Sequence, residues 1–259
     1  MLTGCNYPCH KQLSRPAYKR IVIHLWVNYN SLMRGSEAHP TVQERGRNSL
    51  ERLLAAAEQT LESAGLEAAT VPTIAARAGM SVGNVYKRFP DKDSLISAVY
   101  DRFFSDAFAA NEFALDPAKW EGIPTTEVVS TLVTGMIEGY RNRRPLIRSL
   151  LLYAQTHGDA EFRAHAEQLR LRSLELFERL LRDRRGDIGN PHPERAIRFV
   201  VMLLAHALQN SVMAEGGGLS SGDFLSHAPE TGAELSRIVI GYLRIRGSER
   251  PRALSQARR

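Results

Sequence analysis

The side chains best suited to chemistry in this sequence stand close together: Asn84, Tyr86, Lys87, Arg88 and Lys92, just behind the segment Ser81-Val82-Gly83. They include no nucleophile beside a base and no set of metal ligands. They are hydrogen-bonding and cationic groups, the chemistry of contacting a polyanion. An asparagine amide presents a donor and an acceptor to one base, lysine and arginine reach guanine edges or phosphates, and a tyrosine hydroxyl donates to a phosphate. A plain helical hairpin with a solvated basic face uses the same residue types, so the elements that carry them must decide.

Those elements are written into residues 70–93. Thr70 is positioned to accept a hydrogen bond from the backbone N–H of Thr73, and Pro72 falls in a first helical turn, where a missing N–H costs nothing. Ile74, Ala75 and Ala78 give this helix an apolar face, and Gly79 stands where a left-handed residue ends it. Ser81 then caps a second helix whose Val82, Val85 and Phe89 turn inward, leaving Gly83, Asn84, Tyr86, Lys87 and Arg88 largely outward. Pro90 stops that helix and Asp91 caps the next. Two short helices joined by a glycine-containing turn form the helix-turn-helix pattern, in which the second helix lies in the DNA major groove.

From Leu50 to Leu95 the run AAAEQTLESAG, then Thr70, then IAARAGMSVGNVYKRFPDKDSL resembles the DNA-binding domain of the TetR family of one-component bacterial regulators, over about a fifth of the chain. The resemblance implies an all-α protein: an N-terminal three-helix helix-turn-helix DNA-binding domain plus a C-terminal helical ligand-binding and dimerisation domain. It implies base or groove contacts from Ser81, Gly83 and Asn84, phosphate contacts from Thr70, Tyr86 and Lys92, and specificity contacts near Lys87. Ile74, Ala75, Ala78, Val85, Phe89 and Leu95 would be core. It also implies a homodimeric repressor on a palindromic double-stranded DNA operator, relieved by a small ligand.

The composition agrees with a soluble, cytoplasmic chain. At 259 residues, 43% hydrophobic and 24% charged, it can bury one sizeable core or two modest ones. The net charge of +6 fits a polyanion-binding protein, yet residues 48–100 carry five basic against six acidic side chains, so much of the excess lies in the tails. Both cysteines, Cys5 and Cys9, fall in the first ten residues, so no disulfide framework holds the fold. With His10 they miss the haem-attachment spacing, and no second ligand pair follows. Residues 18–33 begin like a signal peptide, but Ile21 to Val27 is far too short to span a membrane and no convincing cleavage site follows. Met33 is an alternative start, and Arg34, Arg45 and Arg47 form a basic arm that could reach a DNA backbone.

The rest reads as helices separated by breakers. Residues 1–47 form a disordered extension, 48–108 the DNA-binding domain with its linking helix, 109–246 the second domain, and 247–259 a basic disordered tail. A helix from Ser49 to Ala64, ended by Gly65, braces the motif through Leu50, Leu53, Leu54, Ala57 and Leu61. Helices follow over 126–143, 146–154, from Asp159 onward, 194–214 and 229–246. The helix at 194–214 is apolar nearly all round, so one side packs on its own core and the other needs a partner. The last helix is expected to bury Leu235, Ile238, Val239, Tyr242 and Leu243.

No HExxH, P-loop or dinucleotide fingerprint appears, and the glycine-rich EGGGLSSGD follows a helix rather than a strand. His157, Asp159, Glu161 and His165 read as a turn and a solvated helix start rather than a metal site. No catalytic residue, metal or cofactor is therefore assigned. An all-α enzyme or helical scaffold with an incidental helix-turn-helix is the competing class. Phe108, Met136, Tyr140, Tyr153, Phe162 and His206 are candidates to line a ligand cavity, and each is equally a core residue. The expected ligand is apolar or aromatic with one polar handle.

Overall fold

The computed structural model describes residues 42–214, 225 and 228–246. The readings placed on the cysteines, on residues 18–33, on Met33 and Arg34, on the glycine-rich segment and on the basic tail lie outside the described residues. Within them the chain forms nine α-helices and no strand beyond an isolated bridge between Ile188 and Ile245. The helices are α1 (Val42–Ala68), α2 (Val71–Ala78), α3 (Val82–Tyr86), α4 (Lys92–Ala114), α5 (Thr125–Asn142), α6 (Arg144–Thr156), α7 (Ala160–Asp183), α8 (Pro193–Met213) and α9 (Ala228–Leu243).

Helix α1 starts at Val42 rather than Ser49. Gly65 breaks its geometry at φ 80° and ψ 179°, and the chain then makes one more turn to Ala68. Gly65 thus ends the first helical run, as expected, and a short further turn follows across the kink. A glycine tolerates that positive φ, which a side chain would resist.

Two hydrophobic cores organise the helices. The first joins Leu53, Leu61, Ile74, Val85, Leu95 and Val99 from α1 to α4, and takes in Leu146, Leu150 and Tyr153 from α6. The second lies among α5, α7, α8 and α9, around Trp120, Val128, Ile137, Leu180, Ile197 and Leu243. Helix α6 packs along α1, so it belongs as much to the first core as to the second. A boundary drawn at residue 108 by sequence therefore omits the helix that completes the first core.

Helix α8 is the one described helix long and apolar enough to cross a membrane. Its Ile197, Val200, Val201, Leu204 and Leu208 pack inward instead, against the second core. Its Phe199, Met202 and Leu203 face outward. The last helix divides in the same way. Val239 and Leu243 are buried, whereas Ile238, 54% exposed, and Tyr242 are not, contrary to the expectation that all would be inward. The rings of Phe199 and Tyr242 lie 5.4 Å apart, so α8 and α9 present one continuous apolar face to the outside.

Candidate nucleic-acid interface and cavity

The turn between α2 and α3 is built as its residues require. Thr70 Oγ1 accepts from the Thr73 backbone N–H at 3.3 Å and shares a 2.8 Å hydrogen bond with the Thr73 hydroxyl. Gly79 adopts φ 65° and ψ 39°, and its N–H turns back toward the carbonyls of Ala75 and Ala76. Ser81 Oγ accepts from the Asn84 N–H at 3.3 Å and starts α3. That helix is five residues long and buries Val85 alone. Ser81, Gly83, Asn84, Lys87 and Arg88 are exposed, and Tyr86 is 49% exposed. Val82, expected inward, is 37% exposed, because the first turn of so short a helix projects beyond the packed face that holds Val85.

Behind α3, Asp91 and Ser94 cap each other reciprocally at the start of α4, with Asp91 Oδ1 accepting from the Ser94 N–H at 2.8 Å. That backbone hydrogen bond holds the Asp91 carboxyl below its ordinary range. Lys92 Nζ donates to the Leu66 carbonyl at 2.8 Å, so the ammonium ties the end of α1 to the start of α4. The exposed groups of α3 form a compact polar ridge held from behind by Val85 and from below by α4. Such a ridge can enter a groove and offer an amide, a hydroxyl and two cations to base edges and phosphates.

A cavity of about 620 Å³ opens between α4, α5, α6, α7 and α8. Phe103, Phe104, Met136, Tyr140, Phe177 and His206 supply part of its wall. Burial pushes the Tyr100 hydroxyl up to about 12 and raises that of Tyr140 as well, so both phenols on the wall are neutral at physiological pH. Arg143, at the junction of α5 and α6, also lines the cavity. It reaches Glu58 and Glu62 of α1, each at 3.4 Å. Glu58, 8% exposed at its side chain, takes a shorter bond of 2.6 Å from Arg102 of α4. This ion cluster joins α1 to α4 and to the α5–α6 junction at the edge of the cavity.

Residues 53–99 match the family model for bacterial regulatory proteins of the tetR family. Among solved structures, a tetR-family regulatory protein from Rhodococcus RHA1 is 18% identical, covering 77% of this chain and 98% of that one with a TM-score of 0.58. GusR of Salmonella enterica is also 18% identical, covering 76% of this chain and 96% of its own, with a TM-score of 0.57. Residues 53–99 thus form a DNA-binding domain of the tetR type. FadR from Bacillus subtilis, solved in complex with stearoyl-CoA, is 15% identical over 74% of this chain and 96% of its own, at a TM-score of 0.53. At such identities the likeness to these structures is one of fold. No curated protein matches the chain.

The tetR-type helix-turn-helix lies on α2 and α3, and the residues singled out by sequence fall into distinct places. Ser81, Gly83, Asn84, Tyr86 and Lys87 stand together on the exposed side of α3, with Thr70 exposed at the start of α2. Lys92 is half-buried and engaged with α1. Of the cavity candidates, Met136, Tyr140 and His206 line the space. The other three lie off its wall. Tyr153 is buried in the first core, its hydroxyl 2.9 Å from Ser97 Oγ and 3.0 Å from the Asp93 carbonyl. Phe162 packs edge-on against Tyr100 and Tyr153. Phe108 lies under the Arg172 guanidinium, 4.6 Å from its ring centroid.

Sequence reasoning passed over Phe103 and Phe104 as cavity residues, and Glu58, Asn111 and Arg143 altogether. One signal was present for Glu58: it stands one turn after Leu54 on the inward stripe of α1, where a carboxylate requires a buried partner. No local signal marks Arg143 as that partner, since 85 residues separate the two.

Proposed function

We propose that this protein is a TetR-family regulator, a cytoplasmic homodimeric repressor that binds a palindromic DNA operator and is released by a small molecule held in the cavity. The observation that carries the reading is α3 itself, which commits one side chain, Val85, to the fold and leaves an amide, a phenol and two cations exposed side by side. The outward face of α8 and α9 supports a dimer: Phe199, Met202, Leu203, Ile238 and Tyr242 form an apolar surface that water alone would cover poorly. A two-fold axis through that face would set two α3 helices on one side of the DNA. The cavity is of a size that holds small molecules, and the fold is one in which FadR of Bacillus subtilis was solved with stearoyl-CoA.

The reading is tested by footprinting the DNA upstream of the protein's own gene in physiological salt. The expected result is two symmetric protected half-sites about 34–36 Å apart, bound at roughly nanomolar concentration. Binding no tighter than to random DNA overturns the reading and favours a helical enzyme or scaffold in which the motif is incidental.

A further inference from the structure

The cavity wall is mostly apolar, yet its charges are unequal. Three guanidinium groups, Arg143, Arg163 and Arg170, line it against one carboxylate, Glu167. Arg170 holds Glu167 in a two-pronged pair at 2.7 and 2.5 Å, and Arg163 donates to the Gly158 carbonyl at 2.5 Å. Arg143 is less well satisfied. Its contacts with Glu58 and Glu62 are both stretched to 3.4 Å, and its Nε, though near Glu62, is buried without a hydrogen bond of acceptable alignment. A guanidinium offers five N–H groups in a planar fork that fits a carboxylate two-pronged, and stretched contacts leave much of that capacity unused. A second unsatisfied atom borders the same space: the side-chain oxygen of Asn111, a residue 5% exposed, has no partner. Buried polar atoms without partners are rare in folded proteins, and two on one cavity wall point to a polar occupant.

Building on the ligand-released repressor, we infer that the ligand is an amphipathic carboxylate whose head group takes Arg143 from Glu58 and Glu62. The apolar body lies against Phe103, Phe104 and Phe177, and the carboxylate accepts two short hydrogen bonds from the Arg143 fork. Glu58 keeps Arg102 at 2.6 Å and the half-exposed Glu62 turns to solvent, so neither displaced carboxylate is left buried without a partner. The exchange is also the regulatory step. Arg143 belongs to the junction of α5 and α6, and Glu58 and Glu62 to α1, which braces the helix-turn-helix. A bound carboxylate unfastens α1 from that junction and favours arrangements in which α3 is displaced from its DNA-binding position, to the extent that the ligand prefers them.

The test uses the full chain and two matched pairs of probes, dodecanoate with dodecanol and 2-naphthoate with 2-naphthol, followed by titration calorimetry. Each pair differs in its head group and shares its apolar body. At least one acid is expected to bind about 10-fold or more tightly than its alcohol, the scale of a charge-assisted hydrogen bond. Arg143→Gln should abolish that preference while alcohol binding stays the same. Glu62→Gln, at a half-exposed position, should strengthen acid binding several-fold by removing a charged competitor for Arg143. Equal binding of acid and alcohol, failure of all four probes to bind, or a preference that survives Arg143→Gln overturns the assignment. The same acids are then added to the operator complex. Release of DNA by acid and alcohol alike overturns the carboxylate exchange and leaves the ligand-released repressor standing. An acid that binds through Arg143 without lowering operator affinity overturns the exchange as the regulatory step.

Discussion

Lys92 Nζ donates to the Leu66 carbonyl at 2.8 Å, so a cation at the start of α4 closes the far end of α1, just past its kink at Gly65. Such a cation near a helix C-terminus is favoured by the carbonyl dipoles as well as by the hydrogen bond. Lys92→Ala is therefore expected to lower stability by about 1–2 kcal/mol, seen as a lower melting temperature, with the salt dependence of operator binding unchanged. Lys87→Ala, at an exposed position on α3, should do the reverse: unchanged melting, and a salt slope smaller by about one. A Lys92→Ala variant that melts normally and loses one unit of salt slope would make Lys92 a phosphate contact instead.

Asn84 donates its backbone N–H to Ser81 Oγ, which leaves its exposed side-chain amide for a base. Asn84→Ala should reduce operator affinity by about 1–3 kcal/mol and relax the preference at one position of each half-site. Binding selections on a randomised half-site read both effects. Unaltered affinity and preference would mean that this face of α3 is turned away from the bases.

Two glycines of the motif should answer substitution in opposite ways. A Cβ at Gly79 would meet nothing within 4 Å, but the residue holds φ 65°, so Gly79→Val should cost about 1–3 kcal/mol of backbone strain and weaken operator binding as a consequence. A Cβ at Gly83 would likewise stand in open space, and this residue lies within α3, so Gly83→Ala should leave melting unchanged or raise stability by up to about 1 kcal/mol. Operator affinity should nevertheless fall, because the added methyl group stands on the face that approaches the groove. Chemical denaturation and a gel-shift titration separate the two outcomes, and wild-type DNA binding by Gly83→Ala would move the contact surface elsewhere.

Adjacent residues on α9 separate dimerisation from folding. Ile238 is exposed on the outward apolar face, while Val239 is buried in the second core. Ile238→Glu and Leu203→Glu should give folded monomers by sedimentation, with normal helical circular dichroism and poor operator binding. Val239→Glu places an unpaired charge inside the protomer at a cost of several kcal/mol and should unfold it. Clean dimers from both exposed-face variants would place the interface on another surface.

How much of this was readable in advance differs between the two halves of the molecule. Thr70, Gly79, Ser81 and Asp91 were legible as caps and a left-handed turn, because each acts on backbone groups within three or four residues of itself. The outward placement of Asn84, Tyr86 and Lys87 followed from the same local geometry. Inward and outward faces became ambiguous where both were apolar. On α9 the periodicity marked Ile238 and Val239 alike, and only packing against the rest of the protomer buried one and exposed the other.

The sequence by itself determined an all-α chain, the position of its helix-turn-helix and the side chains that project from it, since these depend on short-range hydrogen bonding and on helical period. Tertiary structure alone decided that α6 completes the core beneath that motif, that Lys92 faces α1, and that Tyr153 lies in the first core while Phe103 and Asn111 line the cavity. It also brought Arg143 to Glu58 across 85 residues. The physical reason is that a cavity and a buried ion cluster are made by side chains from several helices at once, and the angles at which helices cross are set by the whole packed surface rather than by any one segment.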